Sequence, residues 1–257
     1  GFRGEAIPSI GSISRMLISS AQESQEGNSC SLEGGAIGVI RPFPRERGTT
    51  VEVRDLFYNV PARLKFQKSP AADQAACTRV IKHLALANPF VHFELRSGHE
   101  NILEFLPEQE GVEGLRKRCE SVMGADWKKA EALDLQEGLV RVKLILLPPE
   151  MHRANRNDQI IMFNRRVVQC QGVSFAIREA MAHRLDSGRY PAFVASVELP
   201  PRWVDVNVHP QKKEIRLRQE ELMRGLLARS VRLILEKQAE GHKKVSSVIE
   251  ANPVGHD

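Results

Sequence analysis

The chain lacks any apolar run long enough to cross a bilayer; its longest, Leu144-Ile145-Leu146-Leu147, stops at Pro148-Pro149. Cysteine is sparse: Cys30, Cys77, Cys119 and Cys170 are widely scattered and show no paired spacing. That excludes a zinc site of the paired-cysteine kind and a disulfide framework, and fits a reducing cytosol or nucleus. No secretory signal and no internal repeat is visible, and the protein is expected not to be secreted. No initiator Met precedes Gly1, and further chain is expected upstream of it.

What is present describes an ordinary globular protein. The 257 residues suffice for one large or two ordinary domains, with 42% hydrophobic and 27% charged residues. A formal net charge of +5 mildly favours polyanionic partners, nucleotides or nucleic acid among them. Residues 5–20 read as a short helix leading into a strand over Met16-Leu17-Ile18, and 22–31 as a hairpin loop. Alternation in Gly48-Thr49-Thr50-Val51-Glu52-Val53 predicts a half-buried strand. Ser69-Pro70 opens a helix that Asn88-Pro89 ends, followed by a strand pair at 91–95 and 102–106. A Pro, Glu and Gly-rich stretch at 107–114 marks a domain boundary.

Beyond it the pattern predicts a helix over 115–123 and a long strand from Val140. A basic loop at 151–158 leads to a buried strand at Ile160-Ile161-Met162-Phe163. An amphipathic helix over 173–185 and strands at 193–199 and 204–208 come next, then a helix over 219–240 and a polar linker. Strand pairs mixed with helices indicate an α+β fold of two successive two-layer α/β sandwiches.

Four segments carry candidate chemistry, each weak by itself. Gly1-Phe2-Arg3-Gly4-Glu5-Ala6 is a glycine-rich entry to a helix, suited to backbone N–H contact with an anion and equally to a tight turn. Gly48-Thr49 suits a turn into a strand, Asn164-Arg165-Arg166 an exposed strand end, and Lys212-Lys213 a polar turn.

Together they resemble the N-terminal half of the MutL family of DNA mismatch repair proteins. The matching text is Gly1-Phe2-Arg3-Gly4-Glu5-Ala6, then Gly48 to Val53 running into Leu56-Phe57-Tyr58-Asn59-Val60-Pro61-Ala62-Arg63-Leu64-Lys65-Phe66. Phe163-Asn164-Arg165-Arg166 and Val204-Asp205-Val206-Asn207-Val208-His209-Pro210-Gln211-Lys212 follow in family order. Departures are small: Val60 stands where Thr is usual, Gln67 where Leu is frequent, and Lys213-Glu214-Ile215-Arg216-Leu217 replaces a more usual His-Glu-Val-Arg-Phe.

The resemblance implies a GHKL/Bergerat-type ATPase domain, of which 1–107 would be the C-terminal part. A ribosomal protein S5 domain 2-like transducer over 111–240 and the start of a flexible linker over 241–257 would follow. It implies nucleotide contacts from Gly1, Phe2, Arg3, Gly4, Thr49 and Lys212, with Arg3 steadying a lid and Lys212 reaching the γ-phosphate of ATP. One such charge pair at ~4 Å contributes on the order of 4 kcal/mol before desolvation. It also implies an ATP-gated dimer that binds DNA without sequence preference, with Arg153, Arg156, Arg165 and Arg166 as candidate contacts. Its partners would be a MutS-type mismatch-recognition protein and downstream repair enzymes, in the cytoplasm of a bacterium or the nucleus of a eukaryote. The family's general-base Glu, its magnesium (Mg) ligand Asn and its Asp-x-Gly-x-Gly segment are expected upstream, and the chain contains no Asp-x-Gly-x-Gly. The chain alone is therefore expected neither to hydrolyse ATP nor to bind it tightly. The alternative from the residues alone is a nucleic-acid-binding or dimerisation module without nucleotide function.

Overall fold

Backbone pairing among residues 15–21, 28–33 and 48–54 builds the first sheet of a computed structural model that describes residues 5–67, 69–205 and 216–250. The chain is α+β and divides into two units, Gly1–Asp73 and Gln74–Asp257.

In the first unit α1 (Ala6–Gly11) carries Pro8 in its first turn, where no N–H is needed, and leads to β1 (Arg15–Ala21). β1 pairs antiparallel with β2 (Asn28–Glu33), which also pairs with two short strands, β3 (Ala36–Ile37) and β4 (Arg41–Pro42). On its other side β1 pairs with β5 (Gly48–Arg54), placing Ser20 opposite Thr49. The polar stretch expected to be loop as far as Ser31 is already strand from Asn28, because pairing with β1 outweighs its composition. α2 (Pro61–Lys65) starts with Pro61 in its first turn.

The second unit takes in most of α3 (Pro70–Ala87), opened by Ser69, whose Oγ accepts the Ala72 N–H at 3.3 Å. A hairpin of β6 (Phe93–Ser97) and β7 (Glu100–Phe105) precedes α4 (Val112–Met123). β8 (Glu131–Glu137) and β9 (Val140–Leu146) follow, then β10 (Gln159–Phe163), β11 (Arg166–Val168), α5 (Gln171–Ala180) and β12 (Phe193–Glu198). The sheet order is β11-β10-β12-β9-β8, antiparallel except for β10 beside β12, whose connection runs through α5. The two-residue strands β13 (Val204–Asp205) and β14 (Arg216–Leu217) pair before α6 (Glu220–Glu250). α6 continues past Glu240, where its apolar pattern ends.

The apolar run Leu144-Ile145-Leu146 at the end of β9 places buried side chains on both faces of this sheet. Val142 and Leu144 face a core shared with Ile177 of α5 and Leu227 and Val231 of α6. Ile145 and Leu147 face the other core, with Leu115 of α4 and the fully buried Trp127. Leu86 of α3 and Phe105 of β7 belong to that second core, so the segment that the composition placed before the 107–114 boundary packs with α4.

Candidate functional site

Of the nucleotide contacts implied by the resemblance, Gly1, Phe2, Arg3, Gly4 and Lys212 lie outside the described residues. Thr49 is described. It sits on β5 next to Gly48, whose φ of 140° lies in the region that favours glycine. Antiparallel register brings the Thr49 hydroxyl to 2.8 Å from that of Ser20, and the pair is exposed. One hydroxyl donates and the other accepts, which leaves a lone pair and a donor site facing outward.

The segment after β5 secures α1 and the β1–β2 hairpin. Asp55 and Phe57 take left-handed backbone angles (φ 52° and 69°), which turn the chain so that the Phe57 N–H donates to the Ile13 carbonyl at 2.7 Å. The Asn59 side-chain amide donates to Ser12 O at 2.9 Å. Arg15 bridges Glu33 and Asp55, each at 2.9 Å, and stacks over Tyr58 at 4.9 Å. Phe57, Tyr58 and Asn59 of the motif thus have a local purpose visible in the structure: they hold residues 12–15, the turn from α1 into β1.

The four candidate DNA-contacting arginines fall at the two ends of β10. Arg153 and Arg156 precede that strand, while Arg165 and Arg166 follow it, so the pairs are separated by roughly its length, on the order of 13 Å. Arg153 is held by ion pairs to Asp158 (2.7 Å) and Asp126 (3.3 Å) and donates to Met151 O. Its backbone forms a two-bond bridge with Tyr190. Arg156 lies over the Tyr190 ring at 5.1 Å and lines a cleft with Gln169, Gln171 and Ser174. Arg165, with φ of 64°, lies over Phe90 at 4.8 Å and lines a different cleft with Arg141, Lys143 and Glu198. Arg166 opens β11 opposite Phe163 and is half-buried.

Sequence reasoning missed Tyr190, Phe90 and Arg178. The last, on α5, also lies over Tyr190, at 5.2 Å. The 151–158 loop contains no aromatic residue, and only the tertiary fold brings one to it. Beside this region Cys170 precedes α5; burial pushes its thiol up, against the opposing pull of the Val173 and Gly172 backbone N–H groups.

A family profile described as the C-terminal domain of DNA mismatch repair protein matches residues 120–236. The DNA mismatch repair protein MutL of Agrobacterium fabrum is 40% identical over 243 residues, covering 93% of this chain and 39% of its own length. The chain thus spans about two fifths of the length of the curated relatives it matches. The solved N-terminal domain of a DNA repair protein superposes with a TM-score of 0.73 at 25% identity, over 93% of this chain and 77% of that one. The MutL ATPase domain of Aquifex aeolicus complexed with ADP gives a TM-score of 0.60 at 27% identity, over 88% of this chain and 77% of that one.

Proposed function

Because this chain belongs to the MutL family of DNA mismatch repair proteins, we propose that it forms part of an ATP-gated, dimerising switch that couples mismatch recognition to downstream repair enzymes. The observation that carries this reading is the 27% identical alignment of 88% of the chain with a MutL ATPase domain holding ADP. In this reading 1–107 belongs to the ATPase domain, 111–240 to the transducer and 241–257 to the start of a linker.

The proposed nucleotide contacts are Gly1, Phe2, Arg3, Gly4, Thr49 and Lys212. Thr49, the described member, supports the reading through its chemistry: the exposed Ser20–Thr49 hydroxyl pair supplies the donor and acceptor that an adenine edge or its bound water requires. Among the described residues no three His, Cys, Asp or Glu side chains gather as metal ligands, so the magnesium that accompanies ATP is assigned no ligand here. Lys212 would engage a phosphate present in ATP and absent from ADP, and that difference is what lets a nucleotide bias one arrangement over another. Arg153, Arg156, Arg165 and Arg166 are the proposed DNA contacts, and a MutS-type protein the proposed mismatch-recognition partner. No described helix is long and apolar enough to cross a membrane.

The test is Lys212→Ala in the full-length protein, with Thr49→Val beside it. Lys212→Ala is expected to lower both ATP turnover and ATP-dependent dimerisation, and Thr49→Val to weaken ATP binding. Unchanged turnover and dimerisation in Lys212→Ala would sink the switch. For this chain without upstream sequence, calorimetry is expected to show no submicromolar ATP affinity.

A further inference from the structure

Arg156 and Arg178 come from different elements, the loop before β10 and the last turn of α5, yet both sit over one ring. Their guanidinium carbons lie 5.1 and 5.2 Å from the centre of Tyr190. Tyr190 is itself anchored by main chain: its N–H donates to Arg153 O at 2.9 Å, and its carbonyl accepts the Arg153 N–H at 2.8 Å. Pro191 follows and restricts the backbone at Tyr190 to extended conformations. The ring is half-buried and the two arginines over it are exposed.

Two kinds of arginine meet here. Arg153 is placed by carboxylates, Asp158 and Asp126, and the same contacts neutralise its charge. Among the described residues, neither Arg156 nor Arg178 pairs with a carboxylate; each is placed by the aromatic face. An aromatic face positions a guanidinium without cancelling its charge and leaves the N–H edge free to donate. Two full charges held on one anchored ring suit a polyanion whose charges repeat, and the bidentate edge of each guanidinium matches a phosphate. The cleft of about 580 Å³ beside Arg156 is lined by Gln159, Gln169, Gln171 and Ser174, uncharged groups suited to backbone contacts; Glu220 also lines it.

We propose that Tyr190 is a positioning residue that holds Arg156 and Arg178 as a two-armed clamp for the phosphate backbone of DNA. The clamp rests on the reading of this chain as a DNA-binding protein. It adds Arg178 to the contacts, and the ion pairs of Arg153 to Asp158 and Asp126 hold the loop that presents Arg156.

The test measures binding of a labelled oligonucleotide to this chain across about 50 to 200 mM salt, in single-stranded and duplex arms. Tyr190→Leu is expected to weaken binding about three- to five-fold in both arms while leaving the salt slope as in the parent, because no charge is lost. Tyr190→Phe keeps the ring and is expected to bind as the parent does. Arg156→Gln and Arg178→Gln are each expected to reduce the slope by about one phosphate contact. Parent-like binding by Tyr190→Leu, or equal losses in the Leu and Phe variants, overturns the clamp. So does a parent-like slope in both arginine variants. A loss confined to the single-stranded arm also overturns it, since that outcome belongs to base stacking on the ring. Absence of salt-dependent binding by the parent chain overturns the DNA-binding reading and the clamp with it.

Discussion

The Asn164 side chain bonds both main-chain groups of Leu199: its Nδ2 donates to the carbonyl at 2.9 Å and its Oδ1 accepts the N–H at 3.0 Å. With the Asn164 N–H on Val197 O, also at 2.9 Å, the side chain extends the parallel β10–β12 pairing beyond its last ladder pair, Phe163 and Val197. The backbone there has φ of 48°, a region Asn tolerates better than most residues. Asn164→Ala leaves both Leu199 groups without this partner, at a site where Leu199 is 6% exposed. A loss of about 1–3 kcal/mol in unfolding free energy is expected from urea titration. Asn164→Asp keeps only the acceptor and should fall between. An unchanged midpoint in Asn164→Ala would show the bonds to be dispensable.

Arg118 is fully buried on α4, and its Nη2 donates to the carbonyls of Pro89, Val91 and Leu106. Among the described residues no carboxylate forms an ion pair with it; burial lowers its pKa, with the charge of Glu108 opposing, and a guanidinium stays protonated. Arg118→Met strips three part-buried carbonyls of their donor and should cost on the order of 1–3 kcal/mol. Hydrogen exchange should rise over 89–106 in that variant, and Arg118→Lys should recover part of the loss. Equal stability of parent and Arg118→Met would contradict this.

The four thiols should react in the order of their surroundings. Cys77 is exposed, whereas burial pushes Cys119 strongly up and Cys170 up as well. With a thiol reagent at mildly alkaline pH, Cys77 is expected to label first and Cys119 only after denaturant opens its core. Labelling of Cys119 in the folded chain at the rate of Cys77 would be inconsistent with its place beside Trp127 and Leu115.

His83 on α3 is held below the ordinary histidine value, first by burial and then by the charge of Arg79. The folded chain therefore binds this proton less readily than the unfolded chain. Below about pH 6.5 the unfolded state carries more protons, so stability falls as the pH falls and is complete above that value. His83→Gln should flatten the acid-side decline and leave the difference between variant and parent constant above about pH 7. Parallel stability curves down to low pH would rule out this contribution.

Much of the local structure was legible in the residues. The strand at 48–53, the Ser69-Pro70 helix start and the apolar face of α6 each follow from a short stretch of chain, although the half-burial expected from the alternation is not found: Val51 and Val53 are exposed. β8 was not legible: Glu-Ala-Leu-Asp-Leu-Gln-Glu has no β-branched or aromatic residue, and it is strand because β9 lies beside it. The 28–31 end of the stretch read as a loop was misread for the same reason, since hydrogen bonding to β1 does not depend on the side chains that propensity weighs.

The family, the α+β class and the identity of the motif residues were determined by the sequence itself, because they reside in short ordered strings such as Asn59-Val60-Pro61-Ala62-Arg63. The parallel place of β12 beside β10, the sheet's second buried face and the meeting of Arg156, Tyr190 and Arg178 were decided only by tertiary structure. These join residues far apart in the chain. Their geometry depends on how helices and strands pack, which no local pattern carries.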